Sequence, residues 1–323
     1  MARVVCITLN PALDLAFNLD ALTLGHVNRP TSAQLEAAGK GVNVARVLAS
    51  LGHEVIVSGF LGEENDAPFS LAFPRYGVED AFVRVPGNTR INAKLAEQSG
   101  RVTDINGPGM PIEAAHLEAL RTALDGLFES SAPPEAVVVA GSLPPGIDQP
   151  AFGELLAFLK GFGVPLWVDT SGPALLTAIA AQPAAVKPNE TELADWAGSA
   201  LDTEQQRQAA AERLHASGIE HALISAGAEG VLWVSQHGIW QSTPPTVTAT
   251  NTVCAGDTFV AGMLHGLLSQ HTPVDTLRFA TALSAEAVRH VGVGTSHADD
   301  FDSLQQQTRV RRLDDTHTEG ATR

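Results

Sequence analysis

The sequence predicts an α/β fold: a large, mostly parallel β-sheet covered on both faces by helices, with a small second sheet acting as a lid. Three observations predict it. Short apolar runs rich in Val and Ile alternate with stretches of helical periodicity, the pattern of parallel strands joined by crossover helices. Two regions, 12–37 and about 82–107, break that alternation with successive half-polar strand patterns and no helix between them, so they form a separate sheet. The 323 residues, 44% of them hydrophobic, suffice to bury the core of one large domain over 1–310.

Taken in order, strands are expected in "RVVCITL", "EVIVSGF", "AVVVAGS", "PLWVDT", "AAVKPN", "HALISAG" and "GVLWVSQ". Helices are expected over 42–51, 112–128, 149–160 and 203–216. In the lid, the "EQSG" between Lys94 and Val102 suits a hairpin turn. From about Arg311 the chain becomes a polar tail expected to be disordered. In sheets of this kind ligands gather at the carboxyl ends of the strands.

Charge narrows the partners. With 36 acidic and 20 basic residues the net charge is −16, which repels nucleic acid and anionic membrane. Any phosphate-bearing ligand must then be held by a local site. Two cysteines, Cys6 and Cys254, are too few for a disulfide framework and fit a reducing compartment. With no signal-peptide pattern and no apolar run of about 20 residues, a cytoplasmic protein is expected.

Six stretches carry candidate chemistry. "AAGKGVNVARVLASLG" places Gly39 and Gly41 around Lys40 at a helix start, with Asn43 in the first turn. It lacks the Ser or Thr of a Walker A loop, yet a glycine turn opening a helix offers N–H groups to anions or sugar hydroxyls. "TLNPALD" puts Asp14 just past the first strand, where a carboxylate can accept from sugar hydroxyls. Arg29, Arg90 and Lys94 are cations on the proposed lid, able to gather at a phosphate or to remain ordinary surface residues. "VKPNETEL" sets Lys187, Asn189 and Glu192 at a strand-to-helix junction. Asn189 and Glu192 suit water-mediated Mg²⁺, and their spacing equally suits a capping box, the commoner outcome. "SAGAEG", with Ser225, Gly227 and Gly230, is either a tight turn or an approach path for a nucleotide phosphate. "NTVCAGDTFVAGMLHGLL" leads through Cys254, Ala255, Gly256 and Asp257 into an apolar helix, and on spacing alone Asp257 reads first as a simple helix cap, the commoner outcome.

Taken together, "AAGKGVNVARVL", "TRINAKL", "VVVAGSLPPG", "VKPNETEL", "ISAGAEGVLWV" and "NTVCAGDTFVAG" resemble the ribokinase-like (PfkB) carbohydrate kinases in order and spacing over residues 1–295. The resemblance implies a three-layer α/β/α fold and transfer of the ATP γ-phosphoryl group, with Mg²⁺, to a sugar hydroxyl. It implies Asp257 as general base, with the amides of Ala255, Gly256 and Asp257 as an anion hole. Asp14, Gly39, Lys40, Gly41 and Asn43 would hold the sugar, and Arg29 and Arg90, with Lys94 a weaker candidate, its existing phosphate. Lys187, Asn189, Ser225, Gly227, Gly230 and Cys254 would meet ATP, and Glu192 with Asn189 would serve Mg²⁺ through water. The late helix "ATALSAEAV" would supply small residues near adenine. "ITLNPALD" and "VTDINGPG" look most like members acting on fructose 1-phosphate, ahead of tagatose 6-phosphate or fructose 6-phosphate. A homodimer through the lid is implied as well.

Cys254 departs from the family, which has Gly there. If that position needs φ > 0, the side chain costs about 1 kcal/mol, and a thiol beside a helix N-terminus could be acidified. A catalytically silent sugar-phosphate or nucleotide binder is the reading from another class. A dehydrogenase is excluded by the missing G-x-G-x-x-G after the first strand.

Overall fold

A computed structural model describes residues 1–314 and holds two sheets. In the larger, β1 (Arg3–Thr8) lies between β8 (Ala136–Ala140) and β4 (Glu54–Gly62), and β5 (Val78–Val85) closes that edge. Beyond β8 follow β9 (Leu166–Asp169), β10 (Ala185–Val186) and β11 (His221–Ser225), all parallel. β12 (Val231–Ser235), β13 (Gly238–Thr243) and β14 (Arg309–Arg312) complete the other edge as antiparallel strands. The lid holds β2 (Ala12–Leu19), β3 (Ser32–Ala38), β6 (Ile91–Glu97) and β7 (Val102–Ile105), in the order β3-β2-β6-β7.

The helices are α1 (Lys40–Ser50), α2 (Ala67–Tyr76), α3 (Ala114–Phe128), α4 (Gln149–Lys160), α5 (Gly172–Ala180), α6 (Glu190–Ala197), α7 (Glu204–Ala216), α8 (Ala255–Leu268), α9 (Pro273–Ala287) and α10 (Phe301–Gln307). β1 shows why its residues run apolar without a break. Val4 and Cys6 pack on one face with Val44 and Leu48 of α1 and Met263 of α8. Val5 and Ile7 pack on the other with Leu120 of α3 and Phe152 of α4. Side chains alternate faces along a strand, and here both faces are buried. A third cluster sets Ala210 and Leu214 of α7 against Ile224 of β11.

Two expectations about segments change. Phe82–Val85, expected in the lid, form the end of β5 and pair with β4, because their side chains close the core beside α2 and α3. The polar tail expected from Arg311 begins as strand: Arg311 and Arg312 pair with Gln241 and Trp240. Residues 315–323 lie outside the described ones. The hairpin at "EQSG" is present, closed by the Gly100 amide donating to the Glu97 carbonyl.

The lid is amphipathic by register. Asp14 lies opposite Asn92 and Glu36, on the same face as Lys94. Leu35, Ile91 and Ile105 occupy the other face and remain exposed. No helix among the described residues is long and apolar enough to cross a membrane.

Close packing fixes the start of α1. A Cβ on Gly41 would stand 2.9 Å from the Ile7 carbonyl oxygen and press on the Thr8 hydroxyl, while one on Gly39, which has φ 138°, would press on Thr8 and Pro11. The glycines let α1 begin directly against the carboxyl end of β1. Gly41→Ala is expected to cost about 1–3 kcal/mol by overpacking, read as a lower denaturant midpoint.

Candidate active site

Asp257 is the third residue of α8 and 3% exposed. Its carboxylate does not cap the helix. The N-cap is Cys254, which makes no side-chain cap bond, and Asp257 instead accepts a 2.7 Å hydrogen bond from the Asn43 side-chain amide. One bond therefore joins the first turns of α1 and α8. Burial pushes the Asp257 carboxyl up to about 7; Asp169 adds to this, while Lys40, Asn43 and Lys187 oppose it. The first-turn amides of α8 have no intrahelical acceptors, so they offer positive partial charge beside that carboxylate.

Lys40 and Lys187 converge on a second buried carboxylate. Lys40 Nζ lies 3.3 Å from Asp169 Oδ2, and Lys187 Nζ lies 3.4 Å from Asp169 Oδ1. Burial alone would raise the Asp169 carboxyl, but Lys187 and Lys40 outweigh it and hold it below the usual range. Desolvation likewise works against the charge of Lys40, and Asp169 with Asp257 outweighs it, so its pKa is raised. Gly256 matters to this arrangement: a Cβ there would come within 3.3 Å of Lys187 Nζ. Sequence reasoning missed Asp169. Its signal was the same as for Asp14, a carboxylate at the carboxyl end of an expected strand, "PLWVDT".

Beside Lys187 opens a cleft of about 510 Å³. Ser225, Gly227 and Gly230 line it on one side, Ala255 and Gly256 at one end, and Thr281 and Ser284 of α9 on another. Ser284 Oγ also donates to the Ala255 carbonyl at 2.9 Å. Gly230 is required, since it has φ 98° and any Cβ would run into the Ser242 carbonyl. Asn189 and Glu192 form the capping box: the Glu192 amide donates to Asn189 Oδ1 at 2.9 Å and the Asn189 amide to Glu192 Oε2 at 2.8 Å. That leaves Glu192 Oε1 unused, and no cluster of three metal-type ligands occurs among the described residues.

On the lid, Asp14 lies within β2 rather than in a loop. It accepts from Asn92 at 3.0 Å and pairs with Lys94 at 2.7 Å, so neither member of the pair is free. Arg90 is engaged more heavily. Its fork donates to the carbonyls of Pro11, Asn10 and Gly107 at 3.2, 2.9 and 3.0 Å, tying the start of β6 to the β1–β2 connection. Three of its five N–H groups are thereby used. Arg29 stands exposed between β2 and β3, without a hydrogen bond or ion pair among the described residues.

Cys254 corrects two expectations. Its φ is −95°, so a side chain is accommodated without strain. Burial, then Asp257, pushes its thiol up to about 11, so the helix N-terminus does not acidify it. Alkylation of Cys254 at pH 7.5 is expected to run about a hundredfold slower than for a free thiol, read by mass spectrometry of iodoacetamide-treated protein.

The pattern of the pfkB family carbohydrate kinases matches residues 1–300. The 1-phosphofructokinase of Vibrio cholerae serotype O1 is 44% identical over 311 residues, covering 96% of this chain and 97% of that one. That of Escherichia coli strain K12 is 42% identical over 293 residues, covering 90% and 93%. Among solved structures, Escherichia coli phosphofructokinase-2 in complex with substrates and products superposes with a TM-score of 0.87 at 29% identity, covering 94% and 98%. Thermotoga maritima ribokinase, at 19% identity and a TM-score of 0.75, shares the fold. With the family pattern over nearly its whole length and relatives above 40% identity, the chain belongs to the pfkB family of carbohydrate kinases.

Proposed function

We propose that the protein transfers the γ-phosphoryl group of ATP to fructose 1-phosphate, giving fructose 1,6-bisphosphate. The observation that carries the mechanism is the buried Asp257 carboxylate, which Asn43 holds at the N-terminus of α8. A base with a pKa of about 7 is ionised for half its time at neutral pH and still basic enough to accept a proton. It takes the proton of the acceptor hydroxyl as that oxygen attacks phosphorus, while the amides of Ala255, Gly256 and Asp257 face the charge on the transferred group. The choice of acceptor is supported by the relatives named 1-phosphofructokinase. Fructose 6-phosphate is the second reading, favoured by the likeness to phosphofructokinase-2.

In this reading Asp14, Gly39, Lys40, Gly41 and Asn43 receive the sugar. Arg29 and the two uncommitted N–H groups of Arg90 meet its phosphate, with Lys94 beside them. Lys187, Ser225, Gly227 and Gly230 line the nucleotide cleft, whereas Cys254, the N-cap of α8, turns its thiol toward the Asn43 side-chain amide at 3.7 Å and does not line it. Mg²⁺ would neutralise charge on the ATP phosphates. A single carboxylate with one free oxygen, Glu192, beside Asn189 suits an ion that keeps most of its waters. The exposed apolar face of the lid, with Leu35, Ile91 and Ile105, supports a homodimer through the lid, and the two unpaired cysteines support a cytoplasmic setting.

ADP release measured with fructose 1-phosphate, fructose 6-phosphate and tagatose 6-phosphate tests the assignment: kcat/KM is expected to be highest for the first. A preference for either 6-phosphate moves the acceptor, and turnover with none favours the silent binder. Asp257→Asn is expected to lower kcat by about 10²–10⁴, and in the wild type the acid limb of kcat/KM should fall near pH 7, since the base must be deprotonated. The same substitution should raise Tm by about 2–4 °C at pH 8. The raised pKa means folding is penalised once Asp257 ionises, so this gain shrinks toward pH 5 and is lost below the unfolded carboxyl pKa, about 4.

A further inference from the structure

Two ammonium groups and two carboxylates meet at the floor of this site, and only one carboxylate has been given a task. Asp169 ends β9 and is 3% exposed. It offers one oxygen to each lysine, Oδ2 to Lys40 at 3.3 Å and Oδ1 to Lys187 at 3.4 Å. The lysines arrive from different parts of the chain, Lys40 from the start of α1 beside the lid and Lys187 from the nucleotide cleft. Lys187 is itself 8% exposed, so without Asp169 it would be a buried cation in need of a partner.

Both lysines also act on the base. Asp257 is faced by Lys40, Asp169 and Lys187, with Asn43 as its hydrogen-bond donor. A carboxylate drawn into a salt bridge becomes a weaker base, because the paired cation favours its ionised form. We propose that Asp169 is a positioning residue that holds Lys40 and Lys187 on either side of the transferred phosphoryl group and keeps both ammonium groups off the Asp257 carboxylate. The proposal rests on the kinase reading above. It assigns Asp169 no contact with the reacting atoms.

The test pairs an acceptor-independent measurement with turnover. In the ligand-free protein, ¹³C-carboxyl titration follows Asp257 directly. In Asp169→Asn the repulsion that Asp169 exerts on Asp257 is lost and the lysines are released toward it, so its titration midpoint is expected to fall by about 1 pH unit, with kcat reduced by about 10²-fold and its acid limb displaced the same way. Asp169→Glu, which keeps the charge, should leave the midpoint within a few tenths of the wild type. Lys40→Gln should cost far less in the Asp169→Asn background than in the wild type, because both changes undo one arrangement. Should Asp169→Asn alone not fold, the charge-balanced pair Asp169→Asn with Lys40→Gln is compared with Lys40→Gln alone, and the midpoint is expected to fall as Lys187 turns to Asp257. An unchanged midpoint in either comparison, or fully multiplicative losses of kcat, overturns the proposal. Failure of the wild type to phosphorylate any ketohexose phosphate would count against the kinase reading instead, and the carboxyl titration would still be readable.

Discussion

The rest of the site depends on one carboxylate kept in a nearly water-free place. Asp257 is 3% exposed, and a charge there is costly unless its surroundings answer it. Here they answer only in part. A single hydrogen bond from Asn43 and the distant pull of two lysines leave the group at about 7, far above an ordinary carboxylate. Full compensation would give a stable, inert ion pair. Partial compensation gives a base, and the fold bears the difference.

That incomplete neutralisation explains several local choices. Asn43 supplies an uncharged donor where a lysine or arginine would have quenched the base. It can reach Asp257 only because α1 begins flush against β1, which the absent side chains of Gly39 and Gly41 allow. Gly256 leaves room for Lys187, and Lys187 is directed at Asp169 rather than at Asp257. The stability such an arrangement costs is supplied by α8 itself. It is buried nearly all round, with Phe259, Met263 and Leu264 in the core and its flanks packed against α9 and α1.

Much of this was legible from residue order, and the failures share a cause. Strands such as β1, β4 and β8 announce themselves because both of their faces are buried. Helix starts announce themselves through small and polar residues, but what those residues do there is decided elsewhere in the chain. Asn189 and Glu192 do form the capping box that their spacing allows, since both partners lie within one turn. Asp257 invites the same reading and is not a cap, because its partner, Asn43, is 214 residues away. Arg90 looked like a free phosphate ligand, yet carbonyls of Asn10, Pro11 and Gly107 engage three of its N–H groups, and no local pattern encodes that. The strain that Cys254 would have carried at positive φ, and the acidity open to a thiol at a helix start, are both removed by its backbone angle and its burial. Phe82–Val85 were misplaced for a related reason, since half-polar strands at sheet edges carry the same period whichever sheet they join, and Arg311–Arg312 were misplaced because a short polar edge strand is ordered only by its pairing with Gln241 and Trp240.

The lid shows how the same logic extends to the substrate side. Arg90 anchors the root of β6 to the β1–β2 connection, so the lid is fastened where it leaves the body. Further along the same strands, Lys94 and Asn92 hold Asp14 through both its oxygens. In the proposed reading, a carboxylate so fixed costs little further ordering on meeting a sugar hydroxyl, because its rotamer is already set. The pair with Asp14 likewise fixes the Lys94 ammonium on the face of the lid that the proposed reading gives to the sugar phosphate. Base and lid thus follow one rule: each charge needed for chemistry is held by a partner that orients it without removing its capacity to react.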